Sequence, residues 1–351
     1  MPAWFLFAVI ALTTTTALSF LWLGTRLAPG SNLPETELRI LSRAFAAIDE
    51  HYIFEIDEQR RTDLLHAAIA GMVDDLDQYS HYYRPEDEDT YNRNTNGYLT
   101  GIGIVVQTID EKVRVIYPMV GGPAEAAGLQ VGDVITAIDG KSVTATNAAI
   151  ELIKGPEKTK VELTVQRGVD QSTSIVVQRK LVRIPSVKWA RILDPKAGVG
   201  YVFLQKFTRS SVQEIDDAIT QLRSELGETH LRGLIIDIRR NPGGLLSTCL
   251  ELTNRFIPEG KLLTIQPRNQ AEEIHTADPK LCRYPDLELA VLIDQESASA
   301  SEVMAGALQD HSRARLIGTR SWGKGVVNEA TVKPTLLVSP VPLVKAGWGD
   351  G

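Results

Sequence analysis

The sequence predicts an α+β, multidomain chain whose last large segment is an α/β core. Three observations lead there. An uncharged apolar run occupies residues 3–24. Short strand-like runs with two short helices fill residues 98–183. From 197 to 329, strand-like and helix-like segments alternate, which argues for layered helix and sheet. Composition agrees with that reading. A length of 351 residues allows two or three domains, and 43% hydrophobic with 23% charged residues is ordinary for a globular chain. A net charge of −7 argues against a broad nucleic-acid surface. The two cysteines, Cys249 and Cys282, show neither metal-ligand spacing nor a disulfide framework. We read them as free buried thiols, with pairing open if they lie close in space.

Residues 3–24 are long enough to span a bilayer as a helix. Trp4 and Trp22 stand near the two ends, where interfacial aromatics are expected. The run is longer than a signal-peptide core and lacks a basic leader and an A-x-A site, so we favour an uncleaved anchor over a cleaved signal. A linker, A-P-G-S-N-L-P, follows at 28–34. From Glu35 to residue 97 the chain reads as a helical region. Leu38, Leu41, Phe45 and Ile48 recur at helical spacing, as do Leu64, Leu65, Ala68, Ile69 and Met72. The segment L-D-Q-Y-S-H-Y-Y then leads into the β-rich stretch.

Within 98–183, strand-like runs are Ile102–Thr108, Val113–Tyr117, Val134–Ile138, Val161–Gln166 and Ser174–Gln178, with a short helix between turns in 121–133 and a second at 147–153. Gly101-Ile102-Gly103-Ile104 lies at the start. Glycine there lets several N–H groups point one way without a Cβ clash.

The core is expected over 184–333. Strands are read at Val199–Phe207, Leu234–Ile238 and Leu287–Ile293, and helices at Ser211–Leu226, Leu245–Phe256 and Glu302–Gln309. Two turns follow strands: Asn241-Pro-Gly-Gly244, a strong turn signal, and Ser297-Ala-Ser-Ala-Ser301 at the mouth of a helix. A small serine there sits beside unpaired N–H groups that can hold an oxyanion. It needs a base. His311 falls past the end of the helix, whereas Lys324, between Gly323 and Gly325, can accept a proton if burial strips its charge. Gly318 to Lys324 also imitates a phosphate-binding loop. Gly325 stands where a hydroxyl is required and the following V-V-N-E-A-T-V is not helix-like, so that reading fails.

S-A-S-A-S-E, A-G-A-L-Q-D, R-A-R-L-I-G-T and G-K-G together resemble the carboxyl-terminal processing proteases (tail-specific proteases, peptidase family S41). The resemblance runs from about residue 35 to 328. It implies a crotonase/ClpP-like serine protease core with Ser299 as nucleophile and Lys324 as base. It further implies Asp310 as a supporting residue, and Ala300 and Gly244 as oxyanion donors. Residues 98–183 look like that family's PDZ domain, in which a C-terminus adds as a strand and loop amides hold its carboxylate. Gly101, Ile102, Gly103 and Ile104 match that loop. Lys154 stands where the family commonly has an arginine implicated in communication between PDZ domain and protease. Asn328 stands where the family usually has a glutamine that orients the lysine. The resemblance implies protein substrates with exposed C-termini, no metal or other cofactor, and a body on the extracytoplasmic side of a membrane anchor. Oligomerisation stays open.

After Asn328 the resemblance ends. The tail 334–351 contains Pro334, Pro340 and Pro342, residues hostile to a sheet interior. The expectation is therefore a C-terminally truncated core with an atypical tail. Two functions compete. One is an active Ser–Lys endopeptidase. The other is a membrane-tethered peptide-binding module with impaired chemistry, motivated by Asn328, Lys154 and the tail. A crotonase-type acyl-transfer enzyme is set aside, because it leaves the PDZ-like segment and the paired motifs unexplained.

Overall fold

A computed structural model describes residues 35–168, 171–227, 230–268, 270–330 and 336–344. The expected anchor at 3–24, the linker at 28–34 and both ends of the tail lie outside these residues. Among the described residues, no helix is long and apolar enough to cross a membrane.

The chain divides into two units, the first ending at Ala68. This unit holds α1 (Glu35–His51) and most of α2 (Glu58–Asp74). Glu35 and Glu37 sit in the first turn of α1, where the helix dipole favours carboxylates. The leucines and isoleucines that predicted the helix form a stripe, yet no residue of α1 is buried.

The second unit begins at Ile69. After the end of α2, the Asp77 carboxylate accepts the N–H groups of Tyr79 and Ser80, each at 2.7 Å, and so closes a tight turn. The two-residue strand β1 (His81–Tyr82) and the helix α3 (Pro85–Thr95) follow. Proline at the first turn of α3 has no N–H to leave unpaired. Next come β2 (Tyr98–Gly101), β3 (Ile104–Ile109), β4 (Lys112–Pro118), α4 (Pro123–Ala126), β5 (Val134–Ile138), β6 (Lys141–Ser142), α5 (Thr146–Ile153), β7 (Lys160–Arg167), β8 (Gln171–Gln178) and β9 (Lys180–Arg183). Strands β3-β4-β5-β7-β8 form one sheet in that order, with β6 on β5. Alternating residues Val113, Val115, Ile135, Ile138, Val161, Leu163 and Val165 are buried and make its core. In that sheet β3 is an edge strand. The N–H of Thr146 donates to Thr108 Oγ1 at 2.8 Å, tying the start of α5 to the end of β3. The chain enters and leaves this domain through the antiparallel pair β2 and β9, with Gly101 opposite Lys180.

The core contains β10 (Val187–Asp194), β11 (Val199–Leu204), α6 (Ser211–Leu226), β12 (Gly233–Asp237), α7 (Leu246–Asn254), β13 (Lys261–Ile265), β14 (Glu273–Thr276), β15 (Glu288–Ile293), α8 (Ala300–Asp310), β16 (Ala314–Gly318), β17 (Val326–Ala330) and β18 (Leu336–Val344). Its main sheet runs β10-β11-β12-β15-β16, parallel except for β10. The apolar side of α6, with Ile215, Ile219 and Leu222, packs with Val202, Leu234, Ile236 and Val291 in one core. Carboxyl ends of parallel strands are where open α/β sheets place ligands. Here the turns after β12, β15 and β16 all fall at that edge.

The tail departs from expectation. Residues 336–344 form β18, which pairs with β17, β1 and β13. Proline is tolerated because the ladder does not call on every N–H. Pro340 falls between the paired positions Val338 and Val341, where the register shifts.

Arg179, between β8 and β9, fastens the end of α5. Its guanidinium donates to the carbonyls of Ile153 (2.7 Å) and Leu152 (3.0 Å) and, on the other side, of Lys160 (2.8 Å). The carbonyls of Leu152 and Ile153 are orphans of the last helical turn, the favoured place for a cation. Gly155 is small because Arg179 Nε lies 2.8 Å from where its Cβ would be. Replacing Arg179 with Met should destabilise this domain by about 2–4 kcal/mol, since several buried carbonyls lose their donor. Urea unfolding followed in the isolated transition of the full chain checks this, and an unchanged midpoint would refute it.

Candidate active site

The site is assembled from turns. After β12, Ile238 leads into Arg240-Asn241-Pro242-Gly243-Gly244. Asn241 is fully buried and works in three directions. Its Nδ2 donates to the Leu204 carbonyl at the end of β11 (2.9 Å), and its Oδ1 accepts the N–H of Gly243 (2.9 Å). Its backbone carbonyl accepts the N–H of Ala298 (3.0 Å) and the hydroxyl of Ser301 (2.8 Å). One buried amide thus joins two strand ends to the serine turn. The glycines have separate reasons. A Cβ on Gly243, at φ +105°, would lie 2.9 Å from both Ala298 O and Ser299 Cβ, so the two turns touch backbone to backbone. A Cβ on Gly244, at φ +145°, would fall on the carbonyl of Phe207. That carbonyl accepts the N–H of Leu245 at 2.9 Å.

The three serines after β15 differ in task. Ser297 and Ser301 are fully buried. Ser297 donates to the carbonyl of Ile238 (2.8 Å), and Ser301 bonds Asn241 as above. Ser299 lines the cleft that also holds Lys324, at the N-terminus of α8, with φ 55° and ψ −116°. That conformation costs a non-glycine residue about 1–3 kcal/mol and persists only when its surroundings fix it. The fixing group is Glu302, 1% exposed. Its carboxylate accepts the N–H groups of Ser299 (2.9 Å), Gly323 (2.7 Å) and Lys324 (2.9 Å) and the hydroxyl of Ser321 (2.8 Å).

The segment after β16 is therefore pinned against the serine turn. Lys324 is half-buried and shares a cleft of about 350 Å³ with Ser299, Ala300, Gly244, Tyr79 and Asn328. Its Nζ donates to Asn328 Oδ1 at 2.8 Å and stands 4.7 Å from the centroid of the Tyr79 ring. Burial pushes the ammonium below its ordinary 10.5, against a smaller upward pull from Asp77. Asn328 in turn donates its Nδ2 to the Tyr79 carbonyl, and the Tyr79 hydroxyl accepts the indole N–H of Trp322 at 3.0 Å. The geometry offers a hydroxyl, an amine that gives up its proton readily, and backbone N–H groups at a helix start.

Residues 198–339 match peptidase family S41, and residues 114–167 match a PDZ domain. This chain carries a peptidase family S41 domain. The carboxy-terminal-processing protease of Bartonella bacilliformis is 36% identical over 81% of this chain and 64% of its own. The protein named probable CtpA-like serine protease in Staphylococcus aureus (strain COL) is 31% identical over 91% of this chain and 63% of its own. The chain thus spans less than two thirds of the length of these relatives. Among solved structures, the photosystem II D1 C-terminal processing protease aligns over 88% of either chain, at 27% identity and a TM-score of 0.47.

In this S41 domain, Ser299, Lys324, Asn328, Ala300 and Gly244 line one cleft. Asp310 does not join them. It closes the far end of α8, about 15 Å along the axis from Ala300, and lines a different cleft with Gln309 and Arg320. The carboxylate that supports the serine is Glu302. His311, the other base considered, faces the Lys261 carbonyl at 2.8 Å. The strand β17 follows Lys324, so the loop carries no helix to hold phosphate. In the PDZ domain, Ile102 is buried and its carbonyl accepts the N–H of Ala124 (2.8 Å), while that of Gly103 accepts the N–H of Met119 (2.9 Å). Gly103 adopts φ +71°, the left-handed region the loop needed glycine for. Lys154 is exposed and bonds Glu151 at 2.6 Å.

Sequence reasoning missed Tyr79, Asn241, Gly243 and Glu302 as site residues. Tyr79 lies in a motif noted only as a connector. Glu302 stood in view as a helix-start acid, three residues after Ser299, which is capping-box spacing. Changing Glu302 to Gln leaves one acceptor oxygen for four donors. We expect a loss of about 2–5 kcal/mol, read as a lower urea midpoint, with the 321–324 segment gaining hydrogen exchange. Unaltered exchange there would show that Glu302 does not hold the two turns together.

Proposed function

We propose that the chain is a serine endopeptidase that captures polypeptide C-termini in its PDZ domain and cleaves by a Ser–Lys mechanism. One observation carries the reading: a half-buried lysine with its charge disfavoured shares a cleft with a strained serine at a helix N-terminus. The edge strand β3, beside α5, suits an added peptide strand.

In the first step the free amine of Lys324 takes the Ser299 hydroxyl proton as Oγ attacks the scissile carbonyl. The N–H groups of Ala300 and Gly244 receive the negative oxygen. Collapse breaks the C–N bond, and the ammonium returns the proton to the departing amine. An acyl-Ser299 ester remains. Water, deprotonated by the same lysine, then attacks the ester and releases a new C-terminal carboxylate. Asn328 and Tyr79 hold the amine in line throughout. The alternative, a peptide-binding module without turnover, drew on the shorter Asn328. The 2.8 Å bond from Lys324 Nζ to Asn328 Oδ1 favours the enzyme instead. The same reading has residues 3–24 tether the chain, with the body on the extracytoplasmic side.

Cleavage of an unstructured protein with an apolar C-terminal tail tests this. Ser299→Ala should lower kcat/KM at least about 10³-fold while tail binding persists; undiminished cleavage would sink the proposal. Activity should also rise with pH as Lys324 loses its proton, with a midpoint below 10.5 because burial lowers its pKa. Asn328→Asp puts a negative charge against the ammonium and favours it, so the rising limb should move to higher pH. A pH–rate profile that does not move would remove Lys324 from the role of base.

A further inference from the structure

Two cations flank the Asn-Pro-Gly-Gly turn, and the chemistry above uses neither. Lys206 follows β11 and is half-buried. It lines the Ser299 cleft and also an adjoining cleft of about 470 Å³. Pro242 borders both, so the two clefts meet beside the oxyanion turn. The adjoining cleft reaches Tyr98 and Leu99 of β2, the strand that leads into the Gly101–Ile104 loop. Arg240 lines it too, in a left-handed conformation at φ 58°, its N–H held by Asp294 Oδ1 at 3.0 Å. No aspartate or glutamate lines either cleft. Among the described residues, neither side chain makes an ion pair.

That is an unusual arrangement for a cation. Desolvation is the one influence that moves the Lys206 ammonium, and it moves it down. A partly buried charge without a partner is held at a cost, whereas a carboxylate arriving in the cleft would offset it through a charge-assisted hydrogen bond. The location matters as well. A polypeptide passing from the PDZ side to Ser299 through these clefts would run past Lys206.

We propose that Lys206, with Arg240 in the same cleft, is a specificity residue that receives a carboxylate of the substrate polypeptide close to the scissile bond. The carboxylate is that of an acidic side chain. The inference rests on the proteolytic reading and gives it a substrate class: tails with Asp or Glu within a few residues of the cut.

The test uses tail peptides that carry Glu, Gln or Lys at each position on either side of the cleaved bond, with free or amidated C-termini. The full chain, Lys206→Met and Lys206→Glu are compared. For the native chain we expect Glu to exceed Gln in kcat/KM by about tenfold at one position, the size of one charged hydrogen bond. The ratio should fall to about unity in Lys206→Met. In Lys206→Glu a lysine at that position should become the preferred residue. Equal ratios in the native chain, or a ratio that survives Lys206→Met, overturn the proposal. A ratio that follows amidation rather than Glu assigns the cation to the terminal carboxylate, and overturns the side-chain assignment. Binding of the same peptides to Ser299→Ala, by fluorescence anisotropy, separates the two readings. If nothing is cleaved but Glu peptides still bind better through Lys206, the subsite stands and the protease reading falls. If binding shows no preference either, the subsite falls on its own.

Discussion

One buried carboxylate holds the site in shape. Glu302 lies three residues after Ser299 and accepts four donors, from Ser299, Ser321, Gly323 and Lys324. Each bond alone is modest, but a buried donor left unmade costs about 1–3 kcal/mol. The serine turn and the lysine segment therefore cannot part without exposing or orphaning several N–H groups at once. This also explains how Ser299 tolerates a positive φ. The strain of about 1–3 kcal/mol is small against the bonds that would have to be given up to relieve it.

The sheet supplies the rest of the precision. In a parallel sheet each strand delivers its carboxyl end to the same edge, so turns far apart in sequence meet there. Asn241 then locks the ends of β11 and β12 to the serine turn, with a side-chain amide and a backbone carbonyl both engaged. Backbones approach so closely that Gly243 and Gly244 have no room for a Cβ. The Asn241–Gly244 turn is thus positioned by direct contact with the backbone of the Ser299 turn.

Much of this was legible in the sequence, for identifiable reasons. Strand–helix alternation over 197–329 is a local periodic signal, and the elements lie within a few residues of where it put them. S-A-S-A-S and N-P-G-G are turn signals that follow apolar strands, so their meeting at one edge was derivable. Other features were not local. Tyr79 reaches the site from more than two hundred positions upstream, through a carbonyl and a ring, and nothing in L-D-Q-Y-S indicates that. Asp310, implied as a supporting residue at the end of the helix, stands at the far end of α8 from Ser299 and lines a neighbouring cleft with Glu302 and Ser321. The tail shows a limit of proline rules. They speak of a generic strand, and the ladder of β18 passes Pro340 at a register shift.

The arrangement of charge around Lys324 follows from the same constraint. A carboxylate this close to a lysine would ordinarily pair with the ammonium and keep it protonated, which would spoil a base. Glu302 accepts the backbone N–H of Lys324 rather than its Nζ, and its remaining acceptor sites are taken by Ser299, Ser321 and Gly323. The ammonium is left with the neutral oxygen of Asn328 and the face of Tyr79, while Asp77 exerts only a secondary pull. Desolvation therefore wins, and the lysine is held below its ordinary value. Asn328 meets the ammonium because β17 begins two residues after Lys324 and brings position 328 back beside it. A neutral acceptor at that distance holds the amine without adding a charge that would favour its protonated form.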